Sequence, residues 1–403
     1  KHRGYRIEPR EIEGILERTE GVASAVVSLQ KGETGESRLV AHIVPRMTQN
    51  SLEPATTHAW KELWDETYTQ GQGQGDSQFD LSGWIDPISR QPYTEEQMRE
   101  WRNETVARIL DLKPASILEV GSGTGLIASG LALSAAGPGL VYRGIDASAA
   151  AIQSASQIQG LTRFSDVSFH CAEALQALEA EPRERYDVVV INSVAQYFPS
   201  GQYLEAVLTQ ALQVIRKGGA IFLGDLRNSD LQAVALTRQL RRRSFRDPSA
   251  SDLRAFLAAE SFRDPELLVT PGWVEKFCLA QSSVRSQILL KKGRLDTEMN
   301  AFRFEAVLHT KEIPGTSGPA PIYLNLRMAD DARVAGTALR AEWLPLLDRF
   351  PSADPSDFTS PSPVQLDSAP AGLFFQEGQP LTQGRAVVFE PSLTRQWPQW
   401  VAQ

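Results

Sequence analysis

Short, continuous apolar runs recur from residue 116 onward, and stretches with helical spacing separate them. The runs are Ile117, Leu118 and Val120, then Leu140 to Ile145, Val167 to Cys171, Tyr186 to Asn192 and Ala220 to Leu223. Between them lie a small-residue stretch after Gly125, the segment Ala149 to Gln159 ending at Gly160, and Tyr203 to Ile215. In the last, Leu204, Val207, Leu208, Leu212 and Ile215 share one helical face. The run YDVVVIN, apolar throughout, is what a central parallel strand covered on both faces requires. Strand and helix in alternation predict an α/β fold with a doubly wound parallel sheet. Val284 to Lys291 and Phe302 to His309 read as two further strands, with roughly 228 to 283, ahead of them, helical.

Upstream the rhythm differs. Residues 1 to 46 read as a small α+β piece: Gly4 to Glu8 extended, a helix opened by Pro9 with Ile12, Ile15 and Leu16 on one face, and strands Ala23 to Leu29 and Arg38 to Val44 around the turn Lys31–Gly35. Residues 47 to 58 are polar and read as a linker. A helix from Ala59 carries Trp60, Leu63 and Trp64 on one face, with Tyr68 near its end, and enters a Gly/Gln-rich loop before Leu81. Thr94 and Gln97 form a capping-box pattern for a long helix with Met98, Trp101, Val106, Ile109 and Leu110 inward, stopped by Lys113–Pro114. Together 59 to 113 make an N-terminal helical lid to a domain ending near 310. Arg238, Arg241, Arg242, Arg243 and Arg246 read either as a solvated helix face or as a dock for an acidic domain or a phosphate. Residues 311 to 403 are a C-terminal segment opened by a Pro/Gly-rich stretch, with a strand at Ile322–Arg327, a helix at Ala335–Leu347 and a loop over Pro351–Ser368.

The length of 403 residues allows two or three domains. The net charge of −8 argues against nucleic acid as the main partner. Two cysteines far apart, Cys171 and Cys278, suggest neither a disulfide framework nor a zinc cluster and fit a reducing cytoplasm. The five histidines show no metal-ligand spacing, so no metal is expected. No apolar run is long enough to span a membrane. The opening KHRGYR has no initiator Met and no signal pattern, which reads as a cut within a longer polypeptide.

The candidate chemistry centres on SILEVGSGTG followed by a helix, a strand and Asp146. Gly121, Gly123 and Gly125 allow a sharp turn and a close backbone approach to a ligand. The helix behind them offers free N–H groups. Asp146 is placed to accept two ribose hydroxyls. A dinucleotide fingerprint would put its third glycine where Leu126 stands; Glu119 two residues before Gly121 completes E-x-G-x-G-x-G instead. Another kind of nucleotide site, or a merely tight strand–helix turn, are the other readings. Open α/β sheets bind ligands beyond the C-terminal strand ends, which delivers Asn192, Ser193, Gln196 and Tyr197 from one strand and Asp225 and Arg227 from the next. Each has a plainer role: Asn192 as a turn cap, Tyr197 in packing, Asp225 and Arg227 paired with each other, Glu173 as a helix N-cap charge rather than an adenine contact, and His309 as a satisfied strand residue.

E-x-G-x-G-x-G resembles motif I of the S-adenosylmethionine (SAM) methyltransferases. The resemblance sharpens with N-S-V-A-Q-Y-F-P-S (Asn192 to Ser200), G-D-L-R (Gly224 to Arg227), S-G-W with M-R-E-W (Ser82 to Trp101) and F-R-F-E-A-V-L-H (Phe302 to His309). These look like methyltransferase domains of nonribosomal peptide synthetases. G-Y-R-I-E-P-R-E-I-E (Gly4 to Glu13) resembles the start of the adenylation C-terminal subdomain into which such domains are inserted. The large adenylation core and a clear late catalytic lysine motif are absent, so this chain is not expected to adenylate. The resemblance covers about residues 1 to 310. It implies a class I, Rossmann-like fold with a mostly parallel seven-stranded sheet closed by a late antiparallel pair. It implies SAM as cofactor, S-adenosyl-L-homocysteine as product, and N-methylation of the α-amine of an aminoacyl thioester on a carrier protein's phosphopantetheine arm. The partners are that carrier protein and the remainder of the synthetase. The cofactor set is Tyr68, Glu119, Gly121, Gly123, Gly125, Asp146, Ala147, Glu173, Asn192 and Ser193; the catalytic candidates are Asn192, Tyr197 and Arg227. Where the family commonly reads P-I-P with an acid just before the Met, this chain has Pro92–Tyr93–Thr94 and Gln97, and Glu95 or Glu96 could stand in. O- or C-methylation of a carrier-bound acyl chain is the alternative chemistry, though a carbon acid needs a stronger base than any His–acid pair seen here. A non-catalytic docking module is the alternative class.

Overall fold

The computed structural model describes residues 9–19, 22–31, 37–45, 49–71, 79–243, 249–281, 283–310, 322–324 and 387–389. The extended stretch before Pro9, the turn after Lys31, the Gly/Gln-rich loop, Arg246, the helix expected at Ala335–Leu347 and the loop Pro351–Ser368 lie outside these residues. The chain divides into two compact units, Lys1–Ala59 and Trp60–Gln403.

In the first unit, helix α1 (Pro9–Leu16) packs on strand β1 (Val22–Lys31), which pairs antiparallel with β2 (Ser37–Pro45). Two glutamates one turn apart tie helix to strand: Glu13 accepts from the Val27 N–H at 2.8 Å, and Glu17 accepts from that of Ala25 at 3.2 Å. Ile15, expected on the inward face with Ile12 and Leu16, is exposed instead. Residues 49–58, expected as a linker, are helical: they begin α2 (Gln49–Gly71).

The second unit takes over that helix from Trp60 and continues with α3 (Glu95–Asp111), β3 (Ser116–Val120), α4 (Leu126–Leu133), β4 (Val141–Asp146), α5 (Ala149–Ala155), β5 (Asp166–Cys171), α6 (Ala174–Ala180), β6 (Tyr186–Asn192), α7 (Gly201–Val214) and β7 (Ile215–Arg227). Then follow α8 (Gln232–Arg243), α9 (Ala250–Arg263), α10 (Pro271–Ala280), β8 (Arg285–Leu290), α11 (Glu298–Phe302) and β9 (Arg303–His309). A short parallel pair, β10 (Ile322–Leu324) with β11 (Val387–Phe389), completes the described strands. The main sheet has seven strands in the order β5-β4-β3-β6-β7-β9-β8. Its first five are mutually parallel, and β9 runs antiparallel to both β7 and β8. This is the Rossmann-like sheet the sequence implied, antiparallel closing pair included.

Side-chain alternation explains the unbroken apolar runs. Successive strand residues point to opposite faces. Leu118, Val189, Ile191, Ile221 and Leu223 join the layer with α7 and α10. Ile117, Val188, Val190, Ala220 and Phe222 join the layer with α3 and α4. Both faces are covered, so neither residue parity can be polar, and each such buried Leu or Ile contributes about 1.5–3 kcal/mol. Lys217–Gly218–Gly219 form a bulge within β7: Ile215 pairs with Tyr186, and the register resumes with Ala220 against Val188. Gly218 takes a φ of 83° to permit it.

The arginine run of α8 is not simply a solvated face. Arg238 is buried, pairs with Asp296 at 2.9 Å and stacks over the Phe302 ring. Arg242 reaches the same carboxylate, and Arg243 lies over the Phe256 ring.

The capping box of α3 is formed: Gln97 N–H donates to the Thr94 hydroxyl at 3.2 Å, and Thr94 N–H to the Gln97 side chain at 2.8 Å. Thr94→Ala should weaken this helix start by about 1 kcal/mol. Hydrogen exchange at the first-turn amides should then quicken roughly fivefold, while amides of β6 keep wild-type protection.

Candidate active site

The chain leaves β3 toward β4 on one side and returns through β6 to β7 on the other. The loops after β3 and β6 therefore part, opening a crevice at the C-terminal strand ends. The glycine loop follows β3 directly. Gly121 and Ser122 both donate N–H to the Ile145 carbonyl, at 2.8 and 2.9 Å. Gly121 sits at φ 77°, and a Cβ there would lie 2.6 Å from Val194. Gly123 sits at φ 51° beneath the Tyr68 hydroxyl. Gly125, also left-handed, is the N-cap of α4.

Asp146 ends β4 and locks this loop. One carboxylate oxygen accepts from Gly123 N–H and the other from Ser148 N–H, both at 2.8 Å. Each oxygen keeps a second lone pair for a ligand hydroxyl. Desolvation raises the Asp146 pKa, and the two backbone bonds oppose that shift. Ala147 lies between these partners, and its carbonyl accepts from the Cys171 thiol. Glu173 is exposed, two residues beyond the end of β5; it occupies the N-cap position of α6 without making a side-chain cap bond.

The second half of α2 lies over the crevice. Its inward face is Trp60, Trp64 and Tyr68, at four-residue spacing; Leu63, expected on that face, is exposed. Trp60 and Trp64 meet the Tyr197 ring at 4.8 and 5.2 Å between centroids, and Trp64 stacks on Tyr68 at 5.3 Å. Asp65 accepts from the Ser148 hydroxyl. Tyr68 has its pKa raised by burial and by the nearby charges of Asp146 and Asp80. Sequence reasoning missed Asp65 and Asp80; helical spacing from Tyr68 was the signal for Asp65.

Glu119, expected to face a ligand's ammonium, is buried on β3 and accepts from the Tyr142 hydroxyl. Burial pushes its pKa up to about 8, with the Tyr142 hydrogen bond acting against the rise.

On the far side of the crevice, the pairing of β6 with β7 comes to its end. Asn192 pairs with Gly224, and the next residue on each path turns left-handed: Ser193 at φ 53° and Asp225 at φ 61°. The Ser193 hydroxyl donates to Asp225. The Asn192 side-chain oxygen is buried and accepts no hydrogen bond among the described residues; the Ser122 hydroxyl is in the same condition. Asp225 is wholly buried between Lys291 at 3.2 Å and Arg303 at 3.0 Å. Burial opposes its charge, and those two cations hold its pKa below the usual value. Removing one partner of such a buried pair typically costs about 3–5 kcal/mol.

Asp225 and Arg227 do not pair with each other. Arg227 makes a two-pronged contact with Asp264, at 2.7 and 2.9 Å, and donates to Glu266 at 2.9 Å. Its guanidinium is thus committed to two acids. His309 pairs across from Ala220, at the opposite end of β7 from Gly224, and bonds to Gln287. Glu95 and Glu96 are both exposed, with Glu95 paired to Arg99. From that segment it is Tyr93 that turns inward: its buried hydroxyl has no hydrogen-bond partner among the described residues, and its pKa is raised by burial and by Glu298.

Residues 112–253 match the family model described as "Methyltransferase domain". This chain contains a methyltransferase domain. Its relatives include the probable non-canonical nonribosomal peptide synthetase CymA of Salinispora arenicola, 30% identical over 311 residues, covering 77% of this chain and 4% of that one. The chondramide synthase cmdD of Chondromyces crocatus is 30% identical over 334 residues, covering 80% of this chain and 8% of that one. The chain therefore spans less than a tenth of either relative's length. Among solved structures, the plantazolicin methyltransferase BamL, in complex with a triazolic desmethylPZN analog and SAH, aligns with 65% of this chain and 100% of its own at 13% identity and a TM-score of 0.41. The methyltransferase domain thus has its glycine loop, Asp146 and the β6 end within the matched span. Among the described residues no helix is long and apolar enough to cross a membrane.

Glu119 gives the methyltransferase domain a measurable pH signature. The folded, ligand-free chain keeps this proton up to about pH 8, whereas an ordinary glutamate loses it near 4.5. The folded state then binds more protons across that window, so it is increasingly penalised as pH rises from about 4.5 through 8. Glu119→Gln should flatten this dependence: in thermal melts from pH 5 to 8, its Tm should fall less than that of the wild-type protein.

Proposed function

We propose that this chain is the SAM-dependent N-methyltransferase region of a nonribosomal peptide synthetase, acting on the α-amine of an aminoacyl thioester held by a carrier protein. The observation that carries the reading is the Asn192 side-chain oxygen. It is buried at the strand end beside the glycine loop and lacks a donor among the described residues. A substrate N–H aimed at the cofactor satisfies it; a C–H acceptor does so poorly.

The crevice fits a sulfonium nucleoside. Its glycine turn leaves no room for Cβ atoms at Gly121, and its two orphaned oxygens, on Ser122 and Asn192, await donors. SAM, when bound, supplies an activated methyl group and leaves as S-adenosyl-L-homocysteine. Gly121, Gly123 and Gly125 with Ala147 and Ser193 shape the binding turn. Asp146 takes the ribose hydroxyls, Glu119 the ammonium, and Glu173 the adenine edge. Tyr68 closes over the loop, and the aromatic group of Trp60, Trp64 and Tyr197 excludes water. Arg227, held by Asp264 and Glu266, positions the acceptor side. Because the methyl donor is already activated, the residues mainly position the acceptor and keep the site dry.

The first unit, with its helix on a two-stranded ladder, is in this reading part of an interrupted adenylation subdomain. The partners are the carrier protein with its phosphopantetheine arm and the rest of the synthetase, without nucleic acid or membrane. Two unpaired, distant cysteines fit a cytoplasmic setting.

Incubating the protein with labelled SAM and an aminoacyl-loaded carrier protein should label the amine of the tethered residue and leave the free amino acid unlabelled. Mass-spectrometric placement of the label on oxygen or carbon would replace the reading. Asp146→Ala should weaken SAM binding at least tenfold by calorimetry. Asn192→Ala should leave SAM affinity within about threefold and lower kcat roughly a hundredfold, a single well-placed acceptor being of that order.

A further inference from the structure

Four carboxylates gather around the C-terminal ends of β6 and β7, and three of them are fully committed. Asp225 is 0% exposed and held by Lys291 and Arg303. Glu298 is 5% exposed, with both oxygens on Arg303. Asp264 grips Arg227 with both of its oxygens. Glu266 differs. One oxygen accepts from Arg227; the other accepts no hydrogen bond among the described residues, and its side chain is 26% exposed.

The backbone holds Glu266 at this place. Leu267 N–H donates to the Gln196 carbonyl at 2.7 Å, and Val269 N–H to the Arg227 carbonyl at 3.0 Å. Glu266 N–H itself donates to Asp264 at 3.2 Å. The segment is thereby fastened both to the end of β7 and to the turn carrying Tyr197. After burial, the charge of Glu266 is the largest influence raising the Tyr197 hydroxyl pKa. Tyr197 in turn acts on Tyr68, which stands over Gly123. The Glu266 segment thus lies against the turn that carries Tyr197, whose ring packs on Trp60 and Trp64 of the helix over the crevice.

Resting on the amine-acceptor reading above, we infer that Glu266 is the catalytic carboxylate that binds the acceptor's α-ammonium and takes its proton. One N–H bond breaks, its electron pair stays on nitrogen as the lone pair that attacks, and the proton forms an O–H bond on the free oxygen of Glu266. Its partial exposure then lets the proton pass to water. The surrounding groups suit this task. Burial raises the Glu266 pKa, Arg227 and Arg303 lower it, and Asp264 and Glu298 raise it again, for a basicity above that of an ordinary surface glutamate. Asp225 cannot serve, because burial between two cations leaves it neither exposed nor basic.

The test compares the wild-type protein with Glu266→Gln and Glu266→Asp, using an aminoacyl pantetheine thioester as the acceptor probe. Both variants should bind SAM with wild-type affinity by calorimetry. Glu266→Gln should lose about a hundredfold in kcat with KM changed less than about fivefold. Its rate should keep climbing with pH toward the amine's own pKa near 8, where the wild type has already levelled off. Glu266→Asp should recover part of the rate and restore the plateau. If the wild type methylates the amine and Glu266→Gln keeps both its rate and its pH profile, the inference alone is overturned. If the wild type methylates only oxygen or carbon on such probes, the amine reading fails and this inference with it.

Discussion

The Asp146 carboxylate is the contact on which the crevice depends. A loop of left-handed glycines has little intrinsic preference for one shape, and ordering it costs conformational entropy. Here the end of β4 does the ordering: the Ile145 carbonyl takes two N–H groups, and Asp146 takes a third from Gly123. The same carboxylate also caps the turn into α5 through Ser148, whose hydroxyl is held by Asp65 of the overlying helix. Loop, strand end and overlying helix are therefore set against one another by a single half-buried acid and its neighbours.

The opposite wall is built on charge instead of backbone. Asp225, Lys291, Arg303, Glu298 and Glu305 form a chain of buried ions contributed by β7, the segment after β8, α11 and β9. Buried ions are a poor source of net stability. What they do here is hold Ser193 and Asp225 in left-handed conformations at adjacent strand ends, and so fix where Asn192 and the following turn present their side chains. A protein needing only stability would fill this space with hydrocarbon. Arg227 extends the arrangement outward to Asp264 and Glu266, where the charge chain meets solvent.

The strands were legible because their signal is local. A run such as Tyr186–Asn192 admits few readings besides a strand covered on both faces, and the turns are marked by glycine and by caps such as Thr94. Residues 49–58 read as a linker yet fold as the start of α2, because polar composition is shared by helices and irregular segments. Helix faces were blurred by the same degeneracy: Leu63 and Ile15 have the right spacing to face inward, but which side of a helix is covered depends on what lies beside it.

What the sequence determined by itself is the sheet, the glycine turn and the acid that closes it, because each rests on contacts between residues near in the chain or on periodicity. What only the tertiary structure decided is the far wall. Arg227 looks like a partner for Asp225 two residues away, yet the irregularity in β7 between Leu223 and Leu226, with Asp225 left-handed, turns them to different partners: Asp225 to Lys291 and Arg303, Arg227 to Asp264 and Glu266. Glu266 carries no motif at all. Its position follows from two backbone hydrogen bonds that fasten its segment to Gln196 and Arg227, and long-range hydrogen bonds of that kind leave no trace in spacing or composition.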